Sequence, residues 1–186
     1  MPRSRKNRNT RAINVNQTFD SNVILDLSDR CERLWDSRGN AAAHTFIKKR
    51  LSFETICSAL RSPNKLIRRK ALYLMTVLRP RKVIDELATI LRRDTCPVVR
   101  HEAAYFLGTL KRRQVIAPLC DALAKDPDTL VQHEAAEALG DLGFAEAKLA
   151  LENAKCSKSR AVRFTAQIAL VQIGSAHSQG SVKRLF

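Results

Sequence analysis

Nothing in the 186-residue chain approaches the ~18 consecutive apolar residues a membrane-spanning helix needs. Glycine is scarce. Two of the six glycines, Gly108 and Gly140, belong to a repeated motif, which leaves little for a phosphate-cradling loop. No two of the five cysteines (Cys31, Cys57, Cys96, Cys120 and Cys156) are spaced as a CxxC metal pair. Their odd number suits reduced thiols, with Cys57 and Cys120 expected as core fillers inside helices. No Ser-His-Asp order and no zinc-ligand spacing appears, so the chain is read as non-enzymatic. The N-terminal MPRSRKNRNTRAINVNQ has no apolar segment behind its basic residues, which excludes a secretory signal. An Arg-rich, acid-poor start also fits a mitochondrial presequence, but the expectation is a disordered basic tail over residues 1–20 on a cytoplasmic protein.

What is abundant is positive charge, and it is unevenly placed. The formal net charge is +15. Residues 1–47 carry eight basic and five acidic side chains, and residues 48–113 carry seventeen and five. Residues 114–186 carry eight of each. A localised excess favours acidic partners such as a protein surface or nucleic acid. The apolar and neutral C-terminal half would let a nucleic acid follow only part of the molecule, so an acidic protein is the expected partner and nucleic acid the alternative.

The chain repeats itself. KLIRRKALYLMTVL from Lys65, PVVRHEAAYFLGTL from Pro97, TLVQHEAAEALGDLG from Thr129 and RAVRFTAQIALVQIG from Arg160 align at intervals of 32, 32 and 31 residues. Another helical stretch precedes each: ETICSALRS, IDELATILRR, APLCDALAK and AKLALENAK. The turn formers and N-caps of SPNK, DTCP, DPDT and SKSR separate the two halves. Each unit therefore reads as helix, turn, helix. At about 100° per residue, Val99, Ala103, Phe106, Leu107 and Leu110 share one face of the second helix. The small residues Ala103, Ala104, Ala135 and Ala136 would let neighbouring helices approach closely.

The V-R-x-E-A-A-x-A-L-G pattern resembles the short HEAT-like repeats of about thirty residues found in the bilin-lyase type of protein. It is nearly complete in the second and third units and degenerate in the outer two, as expected of capping units. The resemblance implies an all-α, right-handed α-solenoid of about four HEAT-like helix-turn-helix repeats over residues 52–178. A helical N-terminal cap over 21–51 would be closed by Trp35 and Phe46, and a C-terminal tail would occupy 179–186. That tail holds a KRLF string like short docking motifs. His44 and His177 lie outside the repeat columns and are expected at the surface. HEAT-like DNA glycosylases set a precedent for a basic concave surface, but the single Trp lies in the cap.

Two His-Glu pairs recur in register, His101-Glu102 and His133-Glu134. Paired HE motifs on such repeats resemble deoxyhypusine hydroxylase, a di-iron monooxygenase family. By that resemblance His101, Glu102, His133 and Glu134 would be iron ligands. The family uses four HE pairs in two halves, so two pairs imply at most a half-site completed by a dimer. The other reading makes each Glu part of the general repeat signature, placed in a first helical turn where a carboxylate suits the positive helix end. On that reading no metal or other cofactor is expected and the protein is a monomer.

The resemblance also implies that the second helices line the concave surface. One column there reads Arg69, His101, His133, Phe164, and its neighbour reads Tyr73, Tyr105, Glu137, Ile168. A basic edge follows from Arg79, Arg81 and Lys82 after the first unit and Lys111, Arg112 and Arg113 after the second. The chain is therefore read as a scaffold. It would bind an acidic protein through Arg69, Tyr73, His101 and Tyr105 in the groove and through the six cations of the edge.

Overall fold

The computed structural model describes the backbone of residues 20–79 and 82–182 and side chains as far as Ser175. Arg81, the basic tail up to residue 19 and the terminal residues 183–186 lie outside the described residues. Ten α-helices follow in order: α1 (Ser21–Arg38), α2 (Asn40–Lys48), α3 (Phe53–Ala59), α4 (Lys65–Leu78), α5 (Val83–Arg93), α6 (Pro97–Thr109), α7 (Ile116–Lys125), α8 (Thr129–Leu142), α9 (Lys148–Ala154) and α10 (Arg160–Val182). There is no strand among the described residues.

The turn residues start the helices as their chemistry dictates. Asn64 Oδ1 accepts from the Leu66 amide at 2.9 Å, and Asp128 Oδ1 from the Leu130 amide at 2.9 Å. Pro97 opens α6, where its missing N–H costs nothing. The four second helices begin at Lys65, Pro97, Thr129 and Arg160, where the sequence motif begins in each case.

The helices form two layers. Successive second helices, α4, α6, α8 and α10, lie against one another, and α5, α7 and α9 form the other layer. Contact is more extensive between α6, α8 and α10 than between the first helices, so the second helices form the more closely packed layer, called the inner layer below. Helices α1 and α2 pack on α4 and extend the stack by a helix pair.

Small residues set that closeness. Ala103, Ala104, Ala135 and Ala136 are fully buried. A Cβ on Gly108 would fall 2.9 Å from the Ala138 Cβ, and one on Gly140 would fall 2.8 Å from the Ala169 Cα. Trp35 does not close the cap: its side chain is 38% exposed. It is not among the residues packed on the core, and α1 ends just beyond it, where the Gly39 amide donates to the Trp35 carbonyl. Ile24, Leu27, Cys31, Ala43 and Ile47 make the buried core there, with Phe46 half-buried against it. Cys57 and Cys120 are half-buried and line the core as fillers.

Candidate functional site

Two ladders run along the inner layer, and each ties a residue of one repeat to a carboxylate of the next. The first is buried. Arg68 donates from Nε to Asp94 Oδ2 at 2.7 Å and from Nη2 to Asp94 Oδ1 at 2.9 Å. Its Nη1 donates to the Ser62 carbonyl at 2.9 Å. One repeat later, Arg100 makes both bonds to Asp126 at 2.8 Å and donates to the Asp94 carbonyl at 2.9 Å. Gln132 and Arg163 take the equivalent places. Gln132 Nε2 reaches the Asp126 carbonyl at 2.7 Å, and Arg163 Nη1 reaches the Ser157 carbonyl at 2.8 Å. The bidentate carboxylate bonds raise the guanidinium pKa of Arg68 and of Arg100, because they favour the charged form. This ladder ties the first repeat to the second and the second to the third. The motif reading passes over it, although an Arg followed 26 residues later by Asp occurs twice in register.

The second ladder answers why the His-Glu pair recurs. Arg69 Nε donates to Glu102 Oε1 at 2.9 Å. His101 Nε2 meets Glu134 Oε2 at 3.0 Å. Each motif glutamate thus faces the basic residue of the preceding repeat, and each motif basic residue faces the following one. His133 has no such glutamate ahead of it, since α10 offers Phe164 and Thr165. It lies instead 3.8 Å from Glu137 in its own helix. Adjacent residues on a helix point about 100° apart, so His101 and Glu102 serve different neighbours.

Glu134 is 8% exposed. Burial pushes its pKa up to about 7, the Glu137 charge adds to the rise, and His133 opposes it. Glu102, His101, Glu134 and His133 thus fall into separate pairings. Among the described residues, no three His, Cys, Asp or Glu side chains gather into a group that could hold a metal ion. The residues present do not fit a di-iron centre within one chain, because Glu102 is engaged by the Arg69 guanidinium.

The other groove residues divide. Tyr105 is 51% exposed and meets the Phe106 ring edge-on at 5.3 Å. Tyr73 is half-buried with its ring 6.5 Å from Phe106, and burial beside the Cys31 thiol raises its phenol pKa. It therefore packs beneath α1, away from the open groove. Arg69 is drawn onto Glu102, so the basic end of the groove is largely neutralised within the chain.

The edge is different. Arg79 and Lys111 end the inner helices of the first two repeats with φ of 46° and 51°. Gly143 occupies the same place in the third, with φ of 70°. A non-glycine residue there costs about 1–2 kcal/mol, because Cβ crowds the following carbonyl. Lys111 Nζ donates to the Asp141 carbonyl at 3.0 Å. Arg113 pairs with Glu146 and stacks 4.9 Å over Phe144. These two tether the second repeat to the third. Arg79, Lys82 and Arg112 are exposed.

The family model for HEAT repeats matches residues 53–140 and 116–185. The chain belongs to the HEAT-repeat family. Its fold is similar to that of human deoxyhypusine hydroxylase, with a TM-score of 0.60 at 19% identity over 81% of this chain. The chain spans 63% of the length of that protein. An engineered protein matches at 18% identity and a TM-score of 0.47, over 84% of this chain and 85% of that one. No curated protein matches the chain. The HEAT-repeat assignment accounts for the two layers, the alanine-rich inner helices and the glycine contacts already described.

Proposed function

We propose that this HEAT-repeat protein is a non-enzymatic scaffold that docks an acidic protein segment along the edge formed by Arg79, Lys82 and Arg112 and into the adjoining groove at Tyr105. The observation that carries this reading is the exposed cation Arg79 at a left-handed helix end. Arg79 and Lys111 stand in register where glycine is the least strained choice, and the third repeat does have glycine there. A cation near a helix C-terminus gains a few tenths to about 1 kcal/mol from the helix dipole, which offsets only part of the strain. Retaining charge at a strained position supports a role for the charge itself.

Lys111 and Arg113 also bond to the third repeat while staying exposed, and Tyr73 is half-buried beneath the cap. The proposed docking surface centres on Arg79, Lys82 and Arg112. Four other exposed cations, Lys48, Lys49, Arg50 and Arg61, belong to α2, α3 and the turns that follow them and extend the basic region toward the cap.

The test is binding of a labelled polyglutamate peptide against a labelled DNA duplex across a salt series. The scaffold reading expects the peptide to bind. A duplex that binds more tightly, with a log–log salt slope near −0.9 per neutralised phosphate, would favour nucleic acid. A second reading, a dimer-completed di-iron hydroxylase, rests on the recurrent HE pairs. Elemental analysis separates it, since iron lost on His101→Ala with His133→Ala would support that centre over the scaffold.

A further inference from the structure

Helix α10 carries a face unlike those of α4, α6 and α8. In α6 the residues that look toward the next repeat include His101 and Gly108, and in α8 they include Gly140. Gly108 and Gly140 receive Ala138 and Ala169 of the following helix. The equivalent places in α10 are Phe164 and Val171, and Ile168 lies between them. Phe164 is 63% exposed, Ile168 44% and Val171 71%. At about 100° per residue the three fall within roughly 60° of one another, so they form one apolar stripe.

We infer that this stripe is the interface of a symmetric homodimer, in which α10 of one copy lies antiparallel on α10 of another. Three observations select a second copy as the occupant. The stripe is uncharged: no Asp, Glu, Lys or Arg occurs from Phe164 to Val182, and Arg163 turns back to the carbonyls of Ser157 and Lys158. A strongly charged partner finds nothing complementary there. Charge also limits how two copies can meet. Residues 48–113 hold seventeen basic and five acidic side chains, whereas 114–186 hold eight of each. Contact through α10 keeps the two basic regions at opposite ends of the pair. Finally, α10 has 23 residues where α4, α6 and α8 have 14, 13 and 14. Its length of about 34 Å suits a paired helix better than a single repeat position.

The stripe is self-complementary about Ile168. An antiparallel pair centred there sets Ile168 on its own copy and brings Phe164 within about one residue, roughly 1.5 Å along the axis, of Val171 of the other chain. This assembly replaces the monomer expected from sequence and does not depend on the docking reading of the basic edge.

The experiment is sedimentation equilibrium on the full chain, the variants Ile168→Asp and Ile168→Lys, and their equimolar mixture. Circular dichroism checks folding, which substitution at this exposed position should preserve. The expected result is twice the chain mass for the unaltered protein and a single chain mass for each variant alone. In the mixture, opposite charges meet at the two-fold axis and the doubled mass returns. A protein that remains monomeric up to its solubility limit would overturn the inference. So would a dimer that survives Ile168→Asp, or variants that stay monomeric when mixed.

Discussion

His101 pairs with Glu134, one repeat ahead, at 3.0 Å, and not with Glu102, its neighbour in sequence. The contact makes the recurrent HE motif a connector between repeats. It also places Glu134 where its ionisation opposes folding. Its pKa rises from 4.5 to about 7 in the folded chain, chiefly through burial. The folded state therefore holds a proton between those values that the unfolded state releases. The associated stability is complete below about pH 4.5 and is lost as pH rises through about 7. Glu134→Gln keeps an acceptor for His101 and removes the charge. It should stabilise the protein at pH 8 by on the order of 2 kcal/mol and change little at pH 4.5. Calorimetric melts at the two pH values check this, and an equal gain at both would contradict it.

The two ladders should differ in energy despite their similar geometry. Arg100 and Asp126 have side chains 10% and 5% exposed, whereas Arg69 and Glu102 are 41% and 22% exposed. Removing one partner of a buried pair leaves an uncompensated charge and costs about 3–5 kcal/mol, whereas exposed pairs contribute about 0–1 kcal/mol. Arg100→Met should therefore destabilise several-fold more than Arg69→Met in urea unfolding. Equal losses would contradict this difference.

Gly140→Ala tests close packing between repeats. Alanine is favoured over glycine by about 1 kcal/mol in a helix interior. The added methyl would press on the Ala169 backbone, and overpacking of this kind costs about 1–3 kcal/mol. A net loss of stability is expected, and a net gain in the unfolding midpoint would show that α8 and α10 can separate freely.

The cationic helix ends should show opposed effects on stability and binding. Arg79→Gly relieves the left-handed backbone and should stabilise the fold by about 1 kcal/mol. It should also weaken capture of an acidic peptide. If the change left binding unaltered, Arg79 would have no part in the docking edge.

Much of the architecture was legible because one motif recurs with its helix starts intact. Lys65, Pro97, Thr129 and Arg160 each begin an inner helix, and the alanines of the motif are buried where the helical wheel puts them. The ladders were less legible. A buried Arg100 and an exposed Arg112 are the same letter, and only the placement of Asp126 after a different helix distinguishes them. The 100° step between His101 and Glu102 was readable, but which neighbouring helix each would meet depended on the stacking. Trp35 shows the converse limit: an apolar letter near a helix end carries no information about whether another element covers it. The basic edge was visible as six cations. That Lys111 and Arg113 also bond to the next repeat depended on Asp141, Phe144 and Glu146.

The most direct test of the scaffold account is a fluorescence-anisotropy titration of a polyglutamate peptide. It compares the unaltered protein with the triple variant Arg79→Ser, Lys82→Ser, Arg112→Ser at matched ionic strength, with circular dichroism as a folding control. The account predicts saturable binding that weakens by at least about tenfold in the triple variant, or about 1.4 kcal/mol, while the helical spectrum is preserved. Undiminished binding by the triple variant, or no binding by the unaltered protein, would contradict it.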